Sequence, residues 1–215
     1  MIENLMPSSV ACVHSFTDRF DTPLFPQEEA VIARAVAKRR AEFTTVRACA
    51  RDALAKLGHP PVPILPGERD APGWPDGVVG SMTHCQGYRA AVVARAGEVA
   101  ALGIDAEPDA PLPDGMLESI ARPEDLAALA ALPTGGPAWG RLLFSAKESV
   151  YKAWFPVGRR LLDFQDASVT ILPDGTFTAR VLVPAPHLLG SPLNAFSGRW
   201  TAGNGLLLTS IAVQP

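Results

Sequence analysis

Two turn signatures in the last third of the chain constrain its fold more than any other feature. Pro173-Asp174-Gly175 separates the β-prone runs 167–172 and 176–183, and Gly203-Asn204-Gly205 separates 196–201 from 206–213. Each reads as an antiparallel hairpin, because a short Gly-bearing turn between two strand-like runs folds the chain back on itself. A hairpin alone is marginal in water, so one face of each must be covered by helices or by another sheet.

Helical patterns supply that cover. Residues 26–57 open on Pro26 with acid at Glu28 and Glu29, and Gly58 stands where a C-terminal cap belongs. Val36, Phe43, Val46, Ala50, Leu54 and Leu57 recur at helical spacing as the predicted buried stripe, with a break into two helices expected near residues 40–42. A Pro-rich loop follows from 60 to 75. Residues 78–82 form a short predicted strand entering the polar turn Thr83-His84-Cys85-Gln86-Gly87, followed by strands at 88–94 and 99–107. Residues 112–132 read as helix with a restart at Pro123, and 139–155 as a second helix ended by Pro156. Helices followed by strand pairs in both halves predict an α+β architecture of two similar lobes, residues 1–101 and 102–215.

Bulk properties narrow the function. The net charge of −3 gives no general attraction to nucleic acid or to an anionic membrane, so a phosphate-rich ligand would need a local cluster of cations. Three cysteines, Cys12, Cys49 and Cys85, lack metal-ligand spacing and fit free thiols in a reducing compartment. The N-terminus lacks the basic and apolar regions of a secretion signal, and no run approaches the ~18 apolar residues of a membrane span. A cytoplasmic protein is the expectation.

Acidic residues mark the first candidate site. In Gly103-Ile104-Asp105-Ala106-Glu107, strand alternation puts Asp105 and Glu107 on one face and Ile104 and Ala106 toward the core. Neighbouring carboxylates repel unless a cation sits between them, and hard oxygen ligands suit Mg²⁺. Taken alone the motif is a weak signal, since acidic strand ends are usually solvated. On the predicted helix, Phe144, Glu148, Tyr151 and Phe155 share a stripe at offsets of 0, 4, 7 and 11, while Leu143, Val150 and Trp154 cover a neighbouring arc. A carboxylate within an aromatic stripe is costly without a partner. Lys152, four residues on, is the ordinary one, worth only ~0.3–0.5 kcal/mol if exposed. The other reading has Glu148 completing a Mg²⁺ site, with Lys147 and Lys152 aimed at phosphate oxygens. Residue chemistry alone leaves both open.

The cations lie earlier. Lys38, Arg39, Arg40, Arg47 and Arg51 put five positive charges into fourteen residues of an acidic chain, which suits either a solvated helix face or a polyphosphate site. His84, behind Ser81-Met82-Thr83, is either structural or paired with a hydroxyl to hold a phosphate. His14, His59 and His187 have no such context and receive no role.

Three ordered segments carry a resemblance: Gly80-Ser-Met-Thr-His-Cys-Gln-Gly-Tyr88, Leu102-Gly-Ile-Asp-Ala-Glu-Pro108 and Trp139-Gly-Arg-Leu-Leu-Phe-Ser-Ala-Lys-Glu-Ser-Val-Tyr-Lys-Ala-Trp154. Their order and intervals resemble the Sfp/EntD-type 4'-phosphopantetheinyl transferases, from about residue 24 to the final strand. The Lys38-Arg-Arg-Ala-Glu-Phe43 helix and the Trp154-Phe-Pro156 ending resemble the actinobacterial branch.

The resemblance implies a pseudo-twofold, two-lobed α+β monomer, each lobe a small antiparallel sheet packed on helices, with coenzyme A between the lobes. It implies Mg²⁺, with Mn²⁺ as a substitute, held by Asp105, Glu107 and Glu148 on the pyrophosphate. In some relatives a backbone carbonyl, here that of Ala106, replaces one carboxylate, which would release Glu107. Lys147 and Lys152 would meet phosphate or the pantetheine arm. Arg39, Arg47, Arg69 and His84 would hold the 3'-phosphate and adenosine end, with Arg40 not separable from Arg39 and Thr83 on a phosphate. The implied reaction is attack by a serine of an apo carrier protein on the β-phosphorus of coenzyme A, releasing 3',5'-ADP. Glu148 and Lys152 would be catalytic, with Glu148 acting as base through a water because a bound metal lowers its basicity. Carriers of fatty-acid, polyketide or nonribosomal peptide synthesis, siderophores included, are the expected partners, docking on an apolar and basic rim near residues 109–125. A Mg²⁺-dependent nucleotide phosphohydrolase and an inactive carrier-binding module are the alternatives; the retained carboxylates and lysines argue against the second.

Overall fold

Both turn signatures form hairpins. In the computed structural model, which describes residues 1–215, β5 (Ala167–Leu172) pairs with β6 (Thr176–Val181) and β9 (Ala195–Gly203) with β10 (Leu206–Val213), all antiparallel. At the second turn Asn204 and Gly205 have φ of 55° and 72°, the left-handed pair that a tight two-residue hairpin loop requires. β6 pairs with β9, and β4 (Ala101–Pro108) lines the other edge of β10, giving a five-stranded antiparallel sheet in the order β4-β10-β9-β6-β5. Between β6 and β9 the chain forms a small separate ribbon, β7 (His187–Leu188) with β8 (Ser191–Pro192).

The second sheet is smaller. β1 (Ala11–Ser15), β2 (Val78–Cys85) and β3 (Tyr88–Arg95) run antiparallel in the order β1-β3-β2. No local signal marks β1; its partner β3 creates it. The central strand β3 is buried on both faces, which explains its run of small and β-branched residues. Tyr88, Ala90, Val92 and Ala94 join Leu102, Ile104 and Leu208 in a core shared by the two sheets, while Ala91 and Val93 pack on the first long helix.

Five helices complete the α+β fold: α1 (Pro26–Val31), α2 (Ala37–Lys56), α3 (Met116–Ile120), α4 (Pro123–Ala130) and α5 (Trp139–Gly158). Each sheet packs on one helix of 20 residues, α2 on β1 and β3, and α5 on β4 and β10. None is long and apolar enough to cross a membrane.

Four sequence expectations need correction. The break in the first helical segment falls between Val31 and Ala37 and not at 40–42, and Val36 is 73% exposed, outside the buried stripe. β-branched Val31, Ile32 and Val36 weaken the helix there, and fully buried Glu28 pins α1 against α2 through Arg51. β2 runs on to Cys85, so Thr83 and His84 are strand residues and the turn is Gln86-Gly87, with Gly87 at φ 77°. Helix 112–132 starts only at Met116, behind Gly115 at φ 76°. Pro156 lies inside the last turn of α5, where the lost N–H costs only one bond before the helix stops at Arg159.

Two contacts fix the relation of the sheets. β2 and β4 lie side by side without a backbone ladder; instead Ser81 Oγ accepts from the Ile104 N–H and Thr83 Oγ1 from the Ala106 N–H, both at 3.1 Å. Gly103 faces α5 so closely that any Cβ there would collide with the Ser149 carbonyl oxygen. The close approach sets Asp105 of β4 beside the side chains of α5.

Candidate active site

A cleft of about 770 Å³ opens between the two sheets and their helices, within the range of small-molecule sites. Its walls bring Arg39, Glu42 and Arg47 of α2, Thr83 and His84 of β2, and Arg69 of the Pro-rich loop to face Asp105 of β4 and Glu148 and Lys152 of α5. A side pocket of about 350 Å³ shares Glu148, Tyr151 and Arg69 with the cleft and is lined beyond them by Lys147, Asp163, Leu161, Leu162 and Phe164. Arg69 sits at the junction with φ 54°, a conformation uncommon for a non-glycine residue.

Asp105 is the centre of the acidic wall. It is 5% exposed, and its Oδ1 accepts from Lys152 Nζ at 2.7 Å and from Thr83 Oγ1 at 3.2 Å. Its Oδ2 is buried with no partner. Lys152 therefore pairs with Asp105 and not with Glu148 on its own helix; it also donates to the Ile104 carbonyl at 3.1 Å. Burial pushes the Glu148 carboxyl above its ordinary range, nearby Asp105 and Glu107 reinforce this, and Lys152 only partly opposes it. A half-buried carboxylate held at high energy and a buried oxygen without a partner are what a bound divalent cation would satisfy.

The cationic wall is equally specific. Arg47 is 5% exposed, stacks over the Phe43 ring and donates Nε–H to the Ile64 carbonyl at 3.0 Å. Burial lowers its pKa to about 10, with Glu28 opposing. Arg39 Nη1 lies 3.0 Å from His84 Nε2. Burial and then Arg39 push the His84 pKa down.

Family models described as the 4'-phosphopantetheinyl transferase N-terminal domain and the 4'-phosphopantetheinyl transferase superfamily match residues 27–94 and 101–195. The chain is 58% identical to the 4'-phosphopantetheinyl transferase Svp of Streptomyces mobaraensis, over 99% of this chain and 89% of that protein. It is 50% identical to PptT of Mycobacterium tuberculosis, over 89% of this chain and 86% of the relative, and 45% identical to Npt of Nocardia iowensis, over 99% of both. The chain belongs to the 4'-phosphopantetheinyl transferase superfamily.

As a phosphopantetheinyl transferase the protein is an enzyme that moves 4'-phosphopantetheine from coenzyme A to a carrier protein. Neither the phosphohydrolase nor the inactive binding module finds support among these relatives.

Not every candidate residue of this transferase reaches the cleft. Lys147 lines the side pocket and not the main cleft, its Nζ paired with Asp125 at 2.7 Å and donating to the carbonyls of Ile120, Phe164 and Ala167. Burial lowers its pKa, against the pull of Asp125. Arg40 turns away and pairs with Glu29 of α1 at 2.6 Å. Glu107 pairs with Arg141 at 3.0 Å, and burial followed by Asp105 raises its pKa. No three His, Cys, Asp or Glu side chains converge as a ready metal cage. Thr83 lines the cleft, its hydroxyl donating to Asp105 and accepting from Ala106 N–H. No residue of 109–125 lines the cleft or its side pocket. Sequence reasoning also missed Glu42, a carboxylate three residues after Arg39 in the cation run, where its sign was the available signal.

Proposed function

We propose that coenzyme A occupies the cleft between the lobes 1–101 and 102–215, its 3'-phosphate and adenosine end against Arg39, Arg47, Arg69 and His84 and its pyrophosphate against Asp105, Glu148 and Lys152. The observation that carries this reading is the buried, partnerless Oδ2 of Asp105 facing a cleft whose opposite wall is cationic. Mg²⁺ fits these residues, since it binds through one or two carboxylates and completes its shell with water and substrate phosphates. Asp105 and Glu148 would hold it, and Mn²⁺ would find the same oxygens. When bound, the ion supplies positive charge to the pyrophosphate oxygens during displacement.

The chain's own residues do the rest. Lys152, fixed by Asp105 and the Ile104 carbonyl, brings a second positive charge to the leaving 3',5'-ADP. The carrier serine oxygen forms a bond to the β-phosphorus as the bond to the bridging oxygen breaks. Glu148 accepts the serine proton through a water, because a carboxylate that also holds the ion is itself a poor base. The side pocket beyond Tyr151, with Leu161, Leu162 and Phe164 on its apolar side and Lys147 and Asp163 on its polar side, suits the pantetheine arm, whose amides and hydroxyl are polar but uncharged. The protein acts as a monomer in the cytoplasm, a reducing compartment that its three free thiols fit.

Mass spectrometry of an apo carrier protein incubated with coenzyme A tests the reading. Chelator-treated enzyme should leave the carrier unmodified, and Mg²⁺ should restore the phosphopantetheine adduct. Transfer that persists at full rate in excess chelator would contradict it.

A further inference from the structure

Glu42 has no part in the steps above, yet it places a carboxylate inside an anion site. It sits on α2 and is 9% exposed. Its oxygens meet charge at ion-pair and not at hydrogen-bond distance: Oε2 lies 3.6 Å from His84 Nε2, and Oε1 3.8 Å from Arg89 Nη2. Arg89 is already served, with Nη2 2.9 Å from Asp18 and Nη1 donating to the Cys85 carbonyl at 2.6 Å. The negative charge of Glu42 is therefore shared between Arg89, itself divided with Asp18, and His84.

His84 is arranged for two states at one nitrogen. Its Nε2 accepts from Arg39 at 3.0 Å, which only a neutral imidazole can do. The same atom faces Glu42, which only an N–H can use. The charged groups around the ring are Arg39 and Glu42 of α2, Arg89 of β3 and Lys152 of α5. Of these, only Glu42 favours the imidazolium; burial and the three cations oppose it.

We propose that Glu42 is a positioning residue that makes His84 a charged donor when the 3'-phosphate of coenzyme A enters the cleft. Arg39 turns from the ring to the dianion, Nε2 takes a proton from solvent and directs it to Glu42, and the other ring N–H is left for the phosphate. A charged donor to a phosphate is roughly twice as strong as a neutral one. Without Glu42 the imidazolium would stand among three cations with no counter-charge, and the ring would stay neutral. The inference rests on the reading that Arg39 and His84 meet the 3'-phosphate.

Calorimetric binding of coenzyme A and dephospho-coenzyme A, each in two buffers of different ionisation enthalpy near pH 7.5, tests it. The wild-type enzyme should take up a proton with coenzyme A and not with the dephospho form. Glu42→Gln should abolish that uptake and weaken coenzyme A about tenfold, the equivalent of one pK unit at His84. Binding of dephospho-coenzyme A should be unweakened, and the coenzyme A defect should shrink as the pH is lowered and His84 protonates unaided. Kinetically the loss should appear in KM and not in kcat. Glu42→Asp, which keeps the charge but withdraws it by a methylene, should lose less in the same direction, and it carries the test if Glu42→Gln does not fold. Unchanged affinity and proton uptake in either variant would overturn the proposal, as would equal losses on both ligands, which mark a structural role. Equal wild-type affinity for the two ligands would instead remove the 3'-phosphate reading itself.

Discussion

Glu148→Gln should nearly abolish transfer and at the same time raise the melting temperature of the ligand-free enzyme. The two effects have one cause. Glu148 is half-buried on the cleft face of α5, and its natural partner four residues on, Lys152, is taken by Asp105. Its carboxyl therefore holds its proton to a higher pH in the folded state than in the unfolded chain. For a carboxyl raised in this way, the contribution to stability is favourable at low pH and is lost as pH rises through the window between the two pKa values. Above that window the ionised side chain destabilises the folded state, and a neutral isostere removes the penalty. A rise of about 2 °C is expected for a chain of this size. With the roles proposed for Glu148, transfer would lose a proton acceptor and a metal ligand together, so a fall of about 10³-fold or more is expected from mass-spectrometric rates. A variant that lost activity and also melted lower would show that Glu148 is held by contacts within the chain and not kept free for ligand.

Lys147→Met should act in the opposite way, with a large loss of stability. Lys147 and Asp125 form a buried pair, 3% and 1% exposed, at 2.7 Å. The ammonium also ties the last residue of α3 to the start of β5 through the Ile120 and Ala167 carbonyls, with Phe164 between. Removing one partner of a buried pair costs about 3–5 kcal/mol because the other charge is left uncompensated. Asp125 keeps hydrogen bonds from Arg122 N–H and Val169 N–H, which hold it in place and do not balance its charge. In this chain the loss corresponds to a drop on the order of 10 °C in Tm. At temperatures where the variant remains folded, KM for coenzyme A should be close to that of the wild type. A raised KM without a drop in Tm would mean that Lys147 reaches phosphate after all.

The contrast between these lysines shows what the sequence made legible. Helical spacing sets Lys152 on the Glu148 stripe, four residues away, and the structure turns it into the cleft. The same spacing sets Lys147 at offset 4 from Leu143, with Val150 and Trp154 at 7 and 11, on the arc that became core. The periodicity thus anticipated the burial of Lys147, whose ammonium turns inward to Asp125. Strand alternation correctly set Asp105 and Glu107 on one face, yet it could not reveal that Arg141 of the distant α5 would neutralise Glu107. Arg40 is a similar case, captured by Glu29 only because the chain breaks after α1. The hairpin turns and the restart at Pro123 were readable because Gly, Asn and Pro act through local dihedral limits. β1 was not, because its pairing lies some eighty residues away in β3.

The most direct test is a crystal structure of the enzyme with coenzyme A and Mg²⁺. The account predicts density for the metal with Asp105 and Glu148 oxygens at about 2.0–2.1 Å, the pyrophosphate completing its shell, and the 3'-phosphate on Arg39 and His84. Coenzyme A bound outside the cleft, or a metal that leaves Asp105 Oδ2 without a partner, would contradict it.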